Sequence, residues 1–413
     1  MGRGIFRNIV IEAQWLSDSR ARGYARLLAI LLPLAALLWT LASHSGKSPN
    51  GEPLGPDFLS FWTASQLALA GNPAAPYDPS AHHAAQIAVM GWDPGYFAFF
   101  YPPPYLLACL PLALLPYAAA LAVWVGLTGL AYLKMLRAWT DDPHIWIAML
   151  AFPAVLINAG HGQNGFLTAA LAGGGLILMD RKRPWLAGLL LGALVIKPHL
   201  AILLPLALAA RGEWRAFLAT GLGAVLWAAL SFLAFGPEAW HGFLADSALA
   251  RQTLEQGLVD PAKMQSAFAA VRVAGGSLTQ AYAAQAAIGI AAALTLVALA
   301  RLRAPAMAQN AAFALAAILA TPFVFDYDLT WIALPLGWLL VEGRRTGFLP
   351  YEKLVMAAAF LLPLVGRSLA IGLHIPIAPF LLAALFILVA RRAVHGCRVG
   401  RHSDDGVAKM VIS

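Results

Sequence analysis

Apolar residues along this chain run in continuous blocks rather than in alternation. The blocks at 104–133 and 284–300 are the clearest, rich in Leu, Ala, Gly and Pro. Runs of this kind suit helices that cross a bilayer core of about 30 Å, which takes roughly 20 apolar residues. A transmembrane β-barrel is excluded, because its strands would show segments of about ten residues with alternating polarity. Fitting helices between the polar interruptions predicts spans near 27–43, 104–134, 145–159, 165–179, 185–197, 198–210, 216–235, 284–300, 307–325, 329–341, 354–370 and 377–390. The pattern therefore predicts an all-α polytopic membrane protein: one integral domain over 1–413, about twelve transmembrane helices, and two large hydrophilic segments at 44–103 and 236–283. Two places stay open. Spans 185–197 and 198–210 each supply only about 20 Å of helix, which suits a re-entrant hairpin as well. In YPPPYLLACLPLALLPY at 101–117, Pro111 and Pro116 either kink one long span or break it into two.

Composition agrees with lipid as the solvent. Apolar residues make up 60% of the chain and charged residues 12%, against about 25% charged in a soluble domain, so a soluble enzyme is excluded. The formal net charge of +8 raises the question of a nucleic-acid partner, and its placement answers it. Arg3, Arg7, Arg20, Arg22 and Arg26 precede the first apolar block, which puts the N-terminus in the cytoplasm by the positive-inside rule. That block is followed by LASHSG without a small-x-small site, so it reads as an uncleaved anchor. Basic residues then recur at alternate loops: Lys134 and Arg137; Arg181, Lys182 and Arg183; Arg211 and Arg215; Arg301 and Arg303; Arg344, Arg345 and Lys353; Arg391 and Arg392. On this map only Lys47, Lys197, Arg251, Lys263, Arg272 and Arg367 of the 28 Lys and Arg lie on the outer side. The excess positive charge is thus a topology signal. It predicts a multi-pass protein of the cytoplasmic membrane, in contact with membrane lipids and no nucleic acid, with both termini inside and both large segments outside.

Little conventional chemistry is present. Cys109 falls in a membrane block and Cys397 in the cytoplasmic tail, so a disulfide between them is not expected. There is no P-loop, no Gly-rich dinucleotide fingerprint and no HExxH. Polar residues collect in the outer segments instead. Asp57 precedes Phe58, Phe61, Trp62, Ser65 and Leu69, which follow helical spacing. This stretch predicts an interfacial helix, with Asp57 either capping its N-terminus or serving chemistry.

The surrounding pattern bears on that choice. GPDFLSFWTASQLALAGNPAAPYDP, followed by FAFFYPPPYLLACLPLALLPY and by NAGHGQNGFLTAALAGGGLILMDRKRPWLAGLLLGALVIKPHL at 158–200, resembles glycosyltransferase family 87, which includes polyprenol-phosphate-mannose-dependent α-mannosyltransferases. The resemblance covers about the first 220 residues well and continues more weakly through TPFVFDYDLTWIALPLGWL at 321–339.

The resemblance implies a GT-C type membrane enzyme. Its site faces outward, and it moves a sugar, mannose or another hexose, from a polyprenyl-phosphate carrier to a glycolipid or glycan acceptor with inversion. It also implies that Asp57, at the position of the family's acidic residue in the first external loop, is the catalytic base. Lys197, in LVIKPHL, matches the family's Lys-Pro step and reads as a donor-phosphate contact, with snorkelling to the interface as the plainer alternative. His199 beside it, and His161, Gln163 and Asn164 of the GHGQNG turn, are further candidates for donor phosphate or sugar.

Asp326 and Asp328 in FDYDL are candidates for acceptor hydroxyls or a second carboxylate, and Asp328 alternatively caps the following span. Relatives tend to carry histidines in that region. No cofactor is expected, since two carboxylates alone give a divalent cation weak support. Arg251, Lys263 and Arg272 read as surface charges and Arg367 as a somewhat better phosphate candidate. His82 and His83 read as a solvated pair without a catalytic role. The rival reading is a secondary transporter or a lipid-linked sugar flippase, against which stands the lack of a clear internal repeat.

Overall fold

Helices carry the architecture throughout the described residues, 7–411, of this computed structural model, and extended pairing is limited to isolated bridges such as Met264 with Phe325. In chain order the α-helices begin with α1 (Asp18–Leu41), α2 (Pro56–Leu69), α3 (Pro79–Met90), α4 (Pro103–Cys109) and α5 (Tyr117–Thr140). The middle of the chain holds α6 (Ile145–Ala151), α7 (Pro153–His161), α8 (Gly165–Asp180), α9 (Pro184–Gly192), α10 (Leu204–Ala210) and α11 (Trp214–Glu255). The last third holds α12 (Ala267–Val273), α13 (Leu278–Arg301), α14 (Ala306–Leu319), α15 (Ala333–Thr346), α16 (Glu352–Leu373) and α17 (Ala378–Val411).

Among the described residues, α1, α5, α11, α13, α16 and α17 are long and apolar enough to cross a membrane. Shorter apolar helices lie at 103–114, 165–180, 184–196, 198–210 and 306–319. Several of the expected spans are interrupted, two of them at the places the sequence left open, for reasons local to the sequence. Pro111 and Pro116 break 104–134 into α4, a 3₁₀ turn at Leu110–Leu114, and α5. Phe152 turns extended ahead of Pro153 and divides 145–159 into α6 and α7. The stretch 184–210 is a chain of short helices meeting at Lys197, whose φ of −143° and ψ of 70° interrupt the helix before Pro198. The apolar run at 307–325 ends as helix at Leu319, and a 3₁₀ segment at Asp326–Ile332 leads into α15.

The two hydrophilic segments also differ from simple loops. In α11, Gly236 (φ 72°, ψ 179°) and Pro237 kink the helix, so that 214–235 continues into an arm over 238–255. The apolar face of α2 packs against protein. Phe58, Leu59, Phe61 and Ala64 are fully buried, packed with Phe99, Tyr105, Leu106 and Trp124 from the chain that follows. His82 is likewise no solvated residue: it is wholly buried, its Nε2 lying 2.9 Å from Thr63 Oγ1 and 3.2 Å from Ser60 O. Burial pushes its pKa down to about 4, so the ring is a neutral strut between α2 and α3. His83 does meet the surface, paired with Asp93.

A large core unites α5, α8, α14 and the 3₁₀ segment at 326–332, and its polar ties fix how that segment sits. Tyr132 donates to Thr330 O (2.8 Å), Trp139 to Leu334 O (2.9 Å), and Trp331 to Thr168 Oγ1 (3.0 Å). Each is a buried ring N–H or O–H that needs an acceptor. Together they clamp α5 and α8 onto the residues that follow Asp328.

Candidate active site

The turn at 158–165 is the hub on which five distant segments converge. Its shape is dictated by two glycines. Gly162 adopts φ 63°, and a Cβ there would come within 2.6 Å of Phe58 Cβ on α2. Gly165 opens α8 so close to its neighbours that a Cβ would lie 2.5 Å from Asn158 Oδ1 and 2.6 Å from Tyr327 O. Backbone contacts then lock the turn: Trp124 Nε1 donates to Gly162 O (2.9 Å), and Gly165 N donates to Asn158 Oδ1 (2.8 Å).

Asp57 sits in the first turn of α2 rather than at its cap. Gly55, in the left-handed region, occupies the N-cap, and no side chain caps the helix. The capping reading of Asp57 is thereby corrected, and its carboxylate is available elsewhere. Oδ2 accepts a hydrogen bond from His161 Nδ1 at 3.1 Å, and both side chains keep a little over a quarter of their surface exposed (27% and 29%). Among the described residues Oδ1 accepts no hydrogen bond.

Beneath this half-open pair lies a closed polar floor. Lys197 Nζ donates to Asp328 Oδ1 at 2.5 Å and to Asn164 Oδ1 at 3.2 Å, and it lies 5.1 Å from the centre of the Tyr327 ring. Lys197 is 3% exposed and Asp328 0%. The second oxygen of Asp328 accepts from Phe325 N (3.2 Å). This lysine therefore does not snorkel, because its charge is neutralised in the interior. Asp328 is the counter-ion of Lys197, and through its bond from Phe325 N it also caps the start of the 3₁₀ segment 326–332 that leads into α15. Gln163 joins the floor to the segment 44–103, its amide lying 3.1 Å from Tyr101 Oη while its Oε1 accepts from Asn164 N.

Asp326 faces a different partner. Tyr327 N donates to its Oδ1 (3.1 Å), and Arg367 of α16 reaches its Oδ2 at 3.4 Å. Arg367 keeps about a third of its side chain exposed, so it is an open cation where Lys197 is a sealed one. The two aspartates thus each hold their own cation rather than converging on one point. His199 lies beside the cluster without a bond to it: its ring lies 6.3 Å from Phe323, and among the described residues its buried Nε2 has no partner.

Asp57, His161, Gln163, Asn164, Lys197, Asp326 and Asp328 are therefore brought together, and His199 stands beside them. Tyr101, Tyr327 and Arg367 belong to the same constellation. An aromatic in an apolar run carries no signal of its own for Tyr101, and for Arg367 the signal was a charge flanked by apolar helix.

No curated protein and no solved structure matches the chain. Residues 99–325 match the family model described as Glycosyltransferase family 87. The matched region holds Tyr101, the glycine turn and Lys197; Asp57 precedes it. A match over more than half of a multi-helix membrane chain, with the polar turn and its lysine inside it, places this protein in glycosyltransferase family 87 and makes sugar transfer its class of activity.

Proposed function

We propose that the protein transfers a hexose from a polyprenyl-phosphate carrier to a hydroxyl of a glycolipid or glycan at the outer face of the cytoplasmic membrane, with inversion at the anomeric carbon. Asp57 is the base. As the acceptor oxygen bonds to the anomeric carbon, its proton passes to the open Oδ1, and the carbon–oxygen bond to the phosphate breaks on the opposite face with its electron pair leaving on the phosphate. The observation that carries this reading is the Asp57–His161 pair: one oxygen is held at 3.1 Å by an imidazole, and the other is open at the rim of the Lys197–Asp328 floor. A base must be both oriented and reachable, and this arrangement supplies both.

The leaving phosphate needs a cation that is not already neutralised. Arg367 meets that need better than Lys197, because its bond to Asp326 is long at 3.4 Å and its side chain is one-third exposed. In this account Lys197, Asn164 and Asp328 hold the floor and Tyr327, while His161 orients Asp57. The outward placement of the site follows from the distribution of Lys and Arg among the loops.

The test is direct. Purified protein in lipid nanodiscs is incubated with a panel of polyprenyl-phosphate hexoses and membrane lipid extract, and products are identified by mass spectrometry. A new glycosylated lipid or glycan supports the proposal. Uptake or flipping of the carrier without any glycosylated product overturns it.

A further inference from the structure

Away from the Asp57 site, the last three turns of α5 and the short helix α6 border a groove of about 430 Å³, a volume in the range of pockets that hold small ligands. Its α5 wall is Gly129, Leu133 and Arg137, four residues apart on one helix face, with Leu130 at the edge. Its α6 wall includes Trp146 and Leu150, again four apart. From Gly129 to Arg137 the wall runs about 12 Å at 1.5 Å per residue. The groove opens sideways rather than into the protein, because Leu130, Trp146 and Leu150 are all exposed. Since α5 is one of the membrane spans, what reaches this opening is lipid.

One end of the groove is polar. Arg137 lies in the last turn of α5 and is exposed, and among the described residues its guanidinium meets no carboxylate within 4 Å and donates no hydrogen bond. Arginines at other helix junctions differ in this respect: Arg344 pairs with Asp18, Arg392 with Glu352, and Arg211 donates to Asn310. The acidic residues that follow Arg137 are placed otherwise. Asp142 accepts from His144 N (2.8 Å), and Asp141 lies past the helix end with its backbone in the left-handed region. Trp146, at the start of α6, brings to the same end a ring of the kind that settles at the boundary between headgroups and chains.

An apolar groove that faces lipid and ends in an unpaired guanidinium is complementary to a phospholipid, whose phosphate takes parallel hydrogen bonds from arginine and whose chains are apolar. We propose that the α5–α6 groove binds a membrane glycerophospholipid, with its phosphodiester on Arg137 and an acyl chain between Leu133 and Leu150. This inference stands apart from the sugar-transfer reading. Both walls lead to the hub of the candidate site: Trp124 of α5 donates to Gly162 O, and α6 passes through the extended Phe152 into α7, which ends at His161. A lipid in the groove braces α6 against α5 and so steadies the turn that holds His161.

Native mass spectrometry of the delipidated full chain tests it, with dioleoyl phosphatidylglycerol and dioleoyl phosphatidylethanolamine titrated into the detergent. The parent is expected to take up at least one of them saturably. Arg137→Gln is expected to raise its Kd about tenfold, the effect of losing a hydrogen bond between charged groups, and Leu150→Trp to raise it comparably by filling the groove. Both positions are exposed, so neither variant is expected to unfold below the parent temperature in the absence of lipid. Dioleoylglycerol, which has the chains without the phosphate, should bind more weakly than the phospholipid and equally to parent and Arg137→Gln. The phospholipid should raise the unfolding temperature of the parent more than that of Arg137→Gln. No saturable uptake by the parent, the same Kd for parent and Arg137→Gln, or dioleoylglycerol bound as tightly as the phospholipid overturns the proposal. Unchanged binding in Leu150→Trp overturns it as well, because the lipid then lies outside the groove.

Discussion

Replacing Lys197 with Met removes a charge while keeping the length of the side chain, and its consequence follows from the burial of the groups left behind. Asp328 is 0% exposed and would keep only the bond from Phe325 N, while Asn164 Oδ1 would lose its donor. Breaking a buried ion pair from one side costs about 3–5 kcal/mol, and orphaning the amide oxygen adds about 1 kcal/mol or more. Lys197→Met should therefore lower the thermal unfolding temperature in detergent by several degrees, followed by intrinsic tryptophan fluorescence. Asp328→Asn alone should be harmful as well, since it leaves the ammonium without its counter-ion. The double variant Lys197→Met/Asp328→Asn removes both charges and should recover at least half of the loss seen in Lys197→Met, a coupling expected of residues in direct contact. If Lys197→Met unfolds at the parent temperature, or if the two single effects simply add, the buried pair is not what holds the floor.

Three other expectations come from the same geometry. Arg367→Ala should raise the KM for a polyprenyl-phosphate donor with little change in unfolding temperature, and Arg367→Lys should restore part of it; equal kinetics for parent and Arg367→Ala would remove Arg367 from the phosphate role. His82 is held neutral with its pKa lowered to about 4, so the unfolded chain binds the extra proton: its stabilising contribution is full above about pH 6.5 and falls as pH drops toward 4. The decline of unfolding temperature over that range should be shallower in His82→Gln, and parallel pH profiles would contradict the buried-strut reading. For topology, Asn50→Cys and Leu258→Cys in a background lacking Cys109 and Cys397 should both react with an impermeant maleimide in intact cells, whereas protection of either until lysis would reverse the orientation.

The fold class was legible because lipid solvation leaves long apolar blocks, and the site's polar residues were legible because an ammonium or carboxylate inside such a block demands a reason. Lys197 stood out on that ground, whereas the GHGQNG turn stood out only through the family resemblance. What the residues did with one another was not legible. Lys197 reads in sequence as a cation awaiting a phosphate, and only the approach of Asp328, 131 positions later, makes it an interior counter-ion. His82 reads as half of a surface pair until Thr63 and Ser60 close on it from α2. Proline set the helix boundaries: Pro111 and Pro116 gave the break that the sequence had left open, whereas Pro153 divided a run that hydropathy had read as one span. The amphipathic face of α2 was read correctly as apolar, but hydropathy alone does not distinguish lipid from protein as what covers it.

The proposal as a whole turns on Asp57. Asn at this position keeps the shape of the side chain and can still contact His161, and Gly55 rather than Asp57 occupies the helix N-cap, so the substitution tests proton transfer rather than folding. The decisive measurement is the rate of sugar transfer from a polyprenyl-phosphate hexose by purified Asp57→Asn protein, with unfolding temperature and donor binding recorded on the same sample. The account predicts a fall of about 10²- to 10⁴-fold in rate, the usual cost of losing a positioned general base, with unfolding temperature and donor affinity near those of the parent. Transfer at close to the parent rate by well-folded Asp57→Asn protein would contradict it.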